Sequence, residues 1–243
     1  FFSAFNSNAL KNVTLYKGSF PARFSGRISS VLDITTNNGN DKEWHGTASV
    51  GLIAANVSVE GPIVKERTTL SASLRRTYFD LLMQPFLMMA TSATGEDMNA
   101  GYYFYDLNAK LTHKFNDRSR LYASFYMGDD ALYAKIDEGG GYYNKEYMKM
   151  KYGWGNMSAA LRWNYELTPQ LFLNVTGAYT RYRNLLGAGA EVEDRQYDGT
   201  VEREETEMSY NSGIQDFTAR ADLDYSPRPE HNIRFGGVVT HHL

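Results

Sequence analysis

Several stretches of the chain carry side chains able to bind or react. Residues 191–207 hold Glu191, Glu193, Asp194, Asp198, Glu202, Glu204, Glu205 and Glu207, a carboxylate density suited to a cation or a basic ligand. The spacing lacks the donor pattern of a calcium loop, so the stretch reads as a solvated loop. Met83, Met88, Met89 and Met98 supply thioethers, which suit Cu(I), yet residues 80–101 also read as a short amphipathic helix packed on a rim. Gly139, Gly140 and Gly141, followed by Tyr142 and Tyr143, lack the strand-to-helix setting of a phosphate cradle. They are expected to form a loop tip whose tyrosines touch a ligand. His241 and His242 would point to opposite sides of a strand. His45, His113 and His231 fall near strand ends with no serine motif beside them. No catalytic residue, metal site or cofactor is therefore expected, and the ligand-binding residues are not identified by these motifs.

The elements that must position such residues are strands. The 243 residues include 18 tyrosines and 14% aromatic residues, yet the mean hydropathy is −0.47. A ring-rich chain that is hydrophilic on average must alternate apolar and polar residues. The near-balanced net charge of −3 gives no footprint for nucleic acid, and the lack of cysteine excludes disulfides and thiolate chemistry. No apolar run approaches the ~18 residues of a spanning helix. Phe1 does not open a signal sequence, so the chain is expected to start downstream of any leader.

Strands are expected at residues 13–16, 28–36 (short and buried), 44–51, 54–61 and 68–77, with turns at 37–41, near Ile53 and at 62–67. Further strands are expected at 102–115, 120–128, 153–166, 171–181, 214–225 and 233–240. Tight turns at 116–119, 167–170 and 226–231 alternate with long connections at 129–150 and 183–210. Short turns at one end and long loops at the other match an outer-membrane barrel.

In the strands from Tyr102 onward, the ionised residues fall on even positions: Asp106, Lys110, Lys114, Arg120, Arg162, Glu166, Asp216, Arg220, Asp222, Asp224 and Arg234. The odd positions carry Leu107, Leu111, Phe125, Leu161, Leu173, Phe217, Val239 and similar residues. Alternation alone fits either a soluble barrel or a membrane barrel. Two details favour lipid on the apolar face. Rings cluster at its turn ends (Phe115, Trp163, Tyr165, Tyr225) and loop ends (Tyr103, Tyr105, Tyr179), as interfacial girdles do. The charged face also mixes signs, as a lumen packed against another polar element would. About nine strands follow Gly39, an odd number that would leave unpaired edges in hydrocarbon. The chain is thus expected to be a piece of a larger barrel.

One segment is too particular for periodicity to explain. In residues 15–36, Lys17-Gly18, Pro21, Arg23-Phe24, Gly26-Arg27 and Ser30-Val31-Leu32-Asp33-Ile34 follow one another closely. This resembles the end of the plug domain of TonB-dependent outer-membrane receptors, most nearly their Bacteroidetes versions. Residues 55–63, with Glu60-Gly61-Pro62, and residues 75–80 resemble early barrel strands of the same group. The resemblance implies an all-β fold: the C-terminal end of a plug (1–40), then the first nine or so strands of a transmembrane antiparallel β-barrel (41–243). It implies Lys17, Gly18, Pro21, Arg23, Gly26, Arg27 and Asp33 as plug-motif residues. Because a mixed-sign lumen needs a polar plug, Arg23 and Arg27 are expected to pair with carboxylates on the inner barrel wall. The resemblance also implies outer-membrane lipid, the TonB energy-transducing protein and a small-molecule, peptide or glycan ligand as partners. The function implied is active uptake of a scarce nutrient; the alternatives are a self-contained barrel with a structural or adhesive role and, more remotely, a barrel enzyme.

Overall fold

The computed structural model describes residues 9–18, 20–24, 29–138, 144–197 and 200–243. Among these residues it contains eleven strands and one α-helix. Strands β1 (Leu10–Lys17) and β2 (Ser30–Thr36) form a separate two-stranded antiparallel sheet. Strands β3 (His45–Val50), β4 (Ala54–Val64), β5 (Thr68–Thr77), β6 (Asp97–Asn116), β7 (Ser119–Glu138), β8 (Asn144–Thr168), β9 (Leu171–Arg195), β10 (Val201–Arg228) and β11 (His231–His242) form one nine-stranded sheet in sequence order. Helix α1 (Phe79–Thr94) joins β5 to β6. Every strand pairs antiparallel with its chain neighbour.

The strands run much further than apolar alternation indicates. The connections expected at 129–150 and 183–210 are mostly ladder: Asp129 to Glu138 pairs with Gly155 to Glu146, and Arg183 to Arg195 pairs with Gly213 to Val201. In these upper segments polar and apolar residues mix on both faces, as in Asp129-Asp130-Ala131-Leu132 and Asn184-Leu185-Leu186-Gly187, so the period of two vanishes from the sequence while the backbone pairing continues. The acidic run is likewise a hairpin rather than a loop, closed by Gln196 N–H donating to the Thr200 carbonyl at 2.8 Å. Two smaller departures concern β4, which continues through Pro62 to Val64 before its turn, and β6, which starts at Asp97 within the segment read as helix. Of the strand expected at 28–36, the described part, β2 from Ser30 to Thr36, is half-buried rather than buried, and Leu32 is exposed. Gly139–Gly141, Tyr142 and Tyr143 lie outside the described residues.

The tight turns after β4, β6, β8 and β10 fall at one end of the sheet. At the other end lie α1, the β3–β4 turn and the long β7–β8 and β9–β10 hairpins. The segment between β2 and β3 runs along the inside of the wall toward the tight-turn end. There Glu66 N–H bonds the Asp41 carbonyl at 3.1 Å, and Asn40 Oδ1 accepts from the amides of Lys42 and Glu43. Gly39 sits in this passage with φ +85°, and a Cβ there would lie 2.8 Å from the Leu70 carbonyl oxygen. Gly39→Val is expected to cost roughly 1–3 kcal/mol through the left-handed backbone and this collision, read as a lower urea midpoint of the refolded protein.

Candidate functional site: the polar inner wall and its hairpin

The registers decide which residues share a face. Leu74 stands opposite Leu107, Leu107 opposite Met127, Leu111 opposite Ala123, Ala123 opposite Leu161, Leu161 opposite Gly177, Gly177 opposite Ala219 and Ala219 opposite Val239. One continuous apolar face therefore crosses the sheet, on odd positions from β6 onward and on even positions in β5. It is the exposed face: Leu161 is 57% and Val239 73% accessible, and Val57, Leu74, Phe217, Ile233 and Phe235 are exposed with them. Among the described residues no Asp, Glu, Lys or Arg enters this face between Ser119 and Met127 on β7, Gly153 and Tyr165 on β8, or Leu171 and Tyr179 on β9. About nine strand residues at ~3.4 Å each, tilted, give a band on the order of 25 Å tall.

Rings edge the band. At the tight-turn end Trp44 lies against Gly61, Trp163 stacks on Tyr165 at 5.3 Å and donates to Ser119 Oγ at 2.9 Å, and Phe115 meets His113 edge-on at 4.6 Å. His113 also bonds the Thr68 hydroxyl at 2.8 Å, which gives it a local structural role. At the other end stand Tyr103, Tyr105, Tyr133 and Tyr179. Charge returns at the level of Tyr105, which stands opposite Asp129, with Arg183 donating to Asp129 at 2.7 Å and Tyr105 donating to the same carboxylate at 2.8 Å.

The opposite face is polar and carries matched charges. Arg75 and Asp106 are paired at 2.5 Å, with Asp106 only 2% accessible. Arg220 pairs with Asp222 at 2.6 Å, Arg234 with Asp224 at 2.8 Å, and His242 with Asp216 at 2.7 Å. Tyr122 is buried between Lys110, 5.5 Å from its ring centroid, and Arg162 at 4.8 Å. Where the β5–β6 ladder ends, the Thr77 hydroxyl substitutes for a backbone partner, accepting from Phe104 N–H at 2.8 Å.

The β1–β2 hairpin and the segment after it lie on this polar face. Four wall side chains reach their carbonyls: Lys110 to Thr36 at 3.2 Å, Thr69 to Asn38 at 2.5 Å, Thr112 to Asn38 at 3.3 Å, and Arg220 to Arg23 at 2.9 Å. Between hairpin and wall is a cavity of about 310 Å³ lined by Leu10, Ile34, Ser73, Asn108, Lys110 and Tyr126. Ser73, Asn108 and Lys110 give it polar groups, and it is roomy enough for ordered water.

The motif residues fall as follows. Lys17 ends β1 opposite Ser30. Gly18 adopts φ +96°, a left-handed conformation that suits glycine. The Pro21 carbonyl accepts from Phe24 N–H at 2.9 Å and closes a 3₁₀ turn over Ala22–Phe24. Among the described residues, Arg23 does not pair with a wall carboxylate. Its guanidinium bonds Asp33 of its own hairpin at 3.2 Å and stacks on Phe24 at 4.5 Å, because the turn brings it back over β2. The cross-link runs the other way, from Arg220 of the wall to the Arg23 carbonyl. Gly26 and Arg27 lie outside the described residues.

Above the hairpin, toward the long-loop end, the inner face carries rings and polar groups that alternation did not single out. Tyr102 donates to Asp130 at 2.5 Å and stacks on Trp154 at 6.4 Å; Trp154 meets Tyr152 at 5.0 Å; Asn184 donates to Tyr152 at 3.1 Å. The available signal was the even spacing of Tyr152 and Trp154, which continues the polar face of β8 past its apolar part. Rings beside a carboxylate and an amide suit a ligand with both flat and hydrogen-bonding surfaces.

On the acidic hairpin, Lys149 bonds Glu191 at 3.0 Å and Arg203 bonds Glu193 at 3.1 Å. The Lys149 hydrogen bond holds the Glu191 carboxyl below its ordinary range. A depressed carboxylate contributes order above its unfolded pKa and loses it as pH falls through the folded value. Amide protection factors across β8–β9 near Lys149 are therefore expected to fall between about pH 7 and about pH 3, and Lys149→Met should flatten that change. The methionines do not converge: Met88 and Met89 are exposed on α1, whereas Met83 is half-buried.

No protein-family model and no curated protein sequence matches the chain. Among solved structures it is similar to the outer membrane transporter YddB of Escherichia coli, at 11% identity and a TM-score of 0.38 over 96% of this chain and 43% of that one. It is similar to a mutant of the ferric enterobactin receptor PfeA of Pseudomonas aeruginosa at 13% and 0.34, over 96% and 44%. It is also similar to the CymD monoaromatic hydrocarbon channel at 11% and 0.25, over 88% and 74%. The chain spans less than half the length of the first two. These scores are too low to assign it an activity.

Proposed function

We propose that the chain is part of an outer-membrane transporter, with residues 41–243 forming barrel wall and residues 1–40 the end of a plug. The observation that carries this reading is the inversion of the sheet. Its apolar face is bare and ringed by aromatics, while its charged face holds the β1–β2 hairpin. A soluble barrel would have the reverse arrangement, with the apolar face inside. In hydrocarbon the apolar face needs no cover, and the charges are satisfied within the lumen by one another and by the hairpin. The edges of β3 and β11 would then pair with further strands of the intact barrel, since unpaired backbone groups are costly in lipid.

With the resemblance of residues 15–36 to a plug terminus, the finer reading is TonB-driven uptake of a small-molecule, peptide or glycan nutrient. The Tyr102, Asp130, Tyr152, Trp154 and Asn184 cluster would meet the ligand on its way to the hairpin. The test is to loosen the hairpin without touching its backbone. Lys110→Met with Arg220→Met removes two of the four wall contacts, and the intact protein in planar bilayers should show raised ion conductance. Conductance equal to the parent protein's would count against a hairpin that closes the lumen.

A further inference from the structure

Helix α1 is sided the wrong way for water. Its one ionisable residue, Asp80, turns toward the wall and pairs with Arg76 at 3.1 Å. Gln84 donates to Asn99 at 3.4 Å, Thr91 accepts from Met98 N–H, and Leu87 is buried on the same side. The far side presents Leu81, Phe86, Met88 and Met89, with Phe86 66% and Met89 72% accessible. A helix on the surface of a soluble protein shows its polar face outward, and an apolar patch of this kind marks a contact surface.

The helix sits on the outward face of the wall. The Asp80 Cβ lies against Gly101, where a side chain would come within 3.0 Å of it, and Arg76 stacks on Tyr103 at 5.1 Å. Gly101 and Tyr103 share their face with Tyr105, Leu107 and Leu111. The start of the helix is tied to the β3–β4 turn, where Tyr78 N–H bonds the Ile53 carbonyl at 3.0 Å and Val50 and Leu52 stand exposed. The patch thus continues the apolar band upward, at the level of the upper ring girdle.

We propose that α1 is an in-plane membrane helix, with Leu81, Phe86, Met88 and Met89 seated among the outermost acyl chains and headgroups of the leaflet at the long-loop end. This rests on the reading of the band as lipid-facing. Lipid is favoured over a protein partner because the patch runs into that band, so that one apolar surface of the sheet and helix meets one medium.

The test uses the intact protein refolded into phosphatidylethanolamine and phosphatidylglycerol vesicles, with a fluorophore on a single introduced thiol. Labels at Phe86→Cys and Met89→Cys are compared with Leu161→Cys in the band and Glu205→Cys on the exposed hairpin. The expected result is quenching at the helix by lipids with a nitroxide high on the acyl chain, several-fold stronger than at Glu205, together with little quenching by aqueous iodide. Iodide quenching equal to that at Glu205 would overturn the proposal by placing the helix in water. Shielding from both quenchers, with a cross-linked second chain, would overturn it in favour of a protein contact. If the Leu161 label itself escapes lipid quenching, the underlying membrane reading has failed, and that outcome is separate from failure at the helix.

Discussion

Leu161→Arg is expected to remove about 2–4 kcal/mol of folding stability in a bilayer, the cost of a cation at mid-depth on a lipid-facing strand. Leu161 stands opposite Ala123 and Gly177 in the middle of the apolar band, far along the strand from the charges that begin at Lys151 on β8 and Arg181 on β9. An arginine there cannot reach either rim without bending its strand. The same residue placed at Thr218, on the opposite face of β10, would enter a lumen already holding Asp216, Asp222 and Asp224 and should change stability little. The pair of variants, refolded into vesicles and titrated with urea, separates burial in lipid from any general intolerance of arginine. If this exposed face met water instead of lipid, the Leu161 site would accept the charge freely.

The second large effect is expected at Asp106. Its carboxylate is almost fully buried on the polar face, paired with Arg75 at 2.5 Å, and Arg75 in turn lies over the Phe104 ring at 4.9 Å. Removing one member of a buried pair costs about 3–5 kcal/mol, because the remaining charge keeps its desolvation penalty without its counter-charge. Asp106→Ala should fall near the lower end, since Asn108 and the Phe104 ring remain. Asp106→Leu combined with Arg75→Leu should recover most of the loss. A double variant as damaged as Asp106→Ala would mean that the two residues act independently, which unfolding measured on both singles and the double would reveal.

Much of the sheet is legible because its two faces differ in polarity with a strict period of two. Leu107, Leu111, Leu161 and Phe217 announce one face, and Asp106, Lys110, Arg162 and Arg220 the other. The hydrophobic pattern does not say which face is inside, since inversion leaves the alternation unchanged; the hairpin lying against Lys110, Thr112 and Arg220 is the observation that favours the polar face. Strand length was the main miss. From Arg183 to Arg195 and from Val201 to Tyr210 both faces are solvated, so the ladder and pairs such as Arg203 with Glu193 replace apolar burial and leave no periodic trace. The inner cluster is hidden for the same reason, with Asp130 and Asn184 lying in stretches expected to be connections. Arg23 was misdirected because its nearest carboxylate, Asp33, becomes a neighbour only once the chain folds back into a hairpin.

The most direct test of the inverted wall is spin-label accessibility along alternating positions of β9 and β10 in lipid vesicles. The absence of cysteine in the chain makes each introduced thiol a clean site. Labels at Val175, Phe217 and Ala219 are expected to be accessible to membrane-dissolved oxygen and shielded from a water-soluble nickel chelate, and labels at Thr176 and Thr218 the reverse. Opposite phasing, or no alternation between neighbours, would contradict a wall that turns its apolar face to lipid.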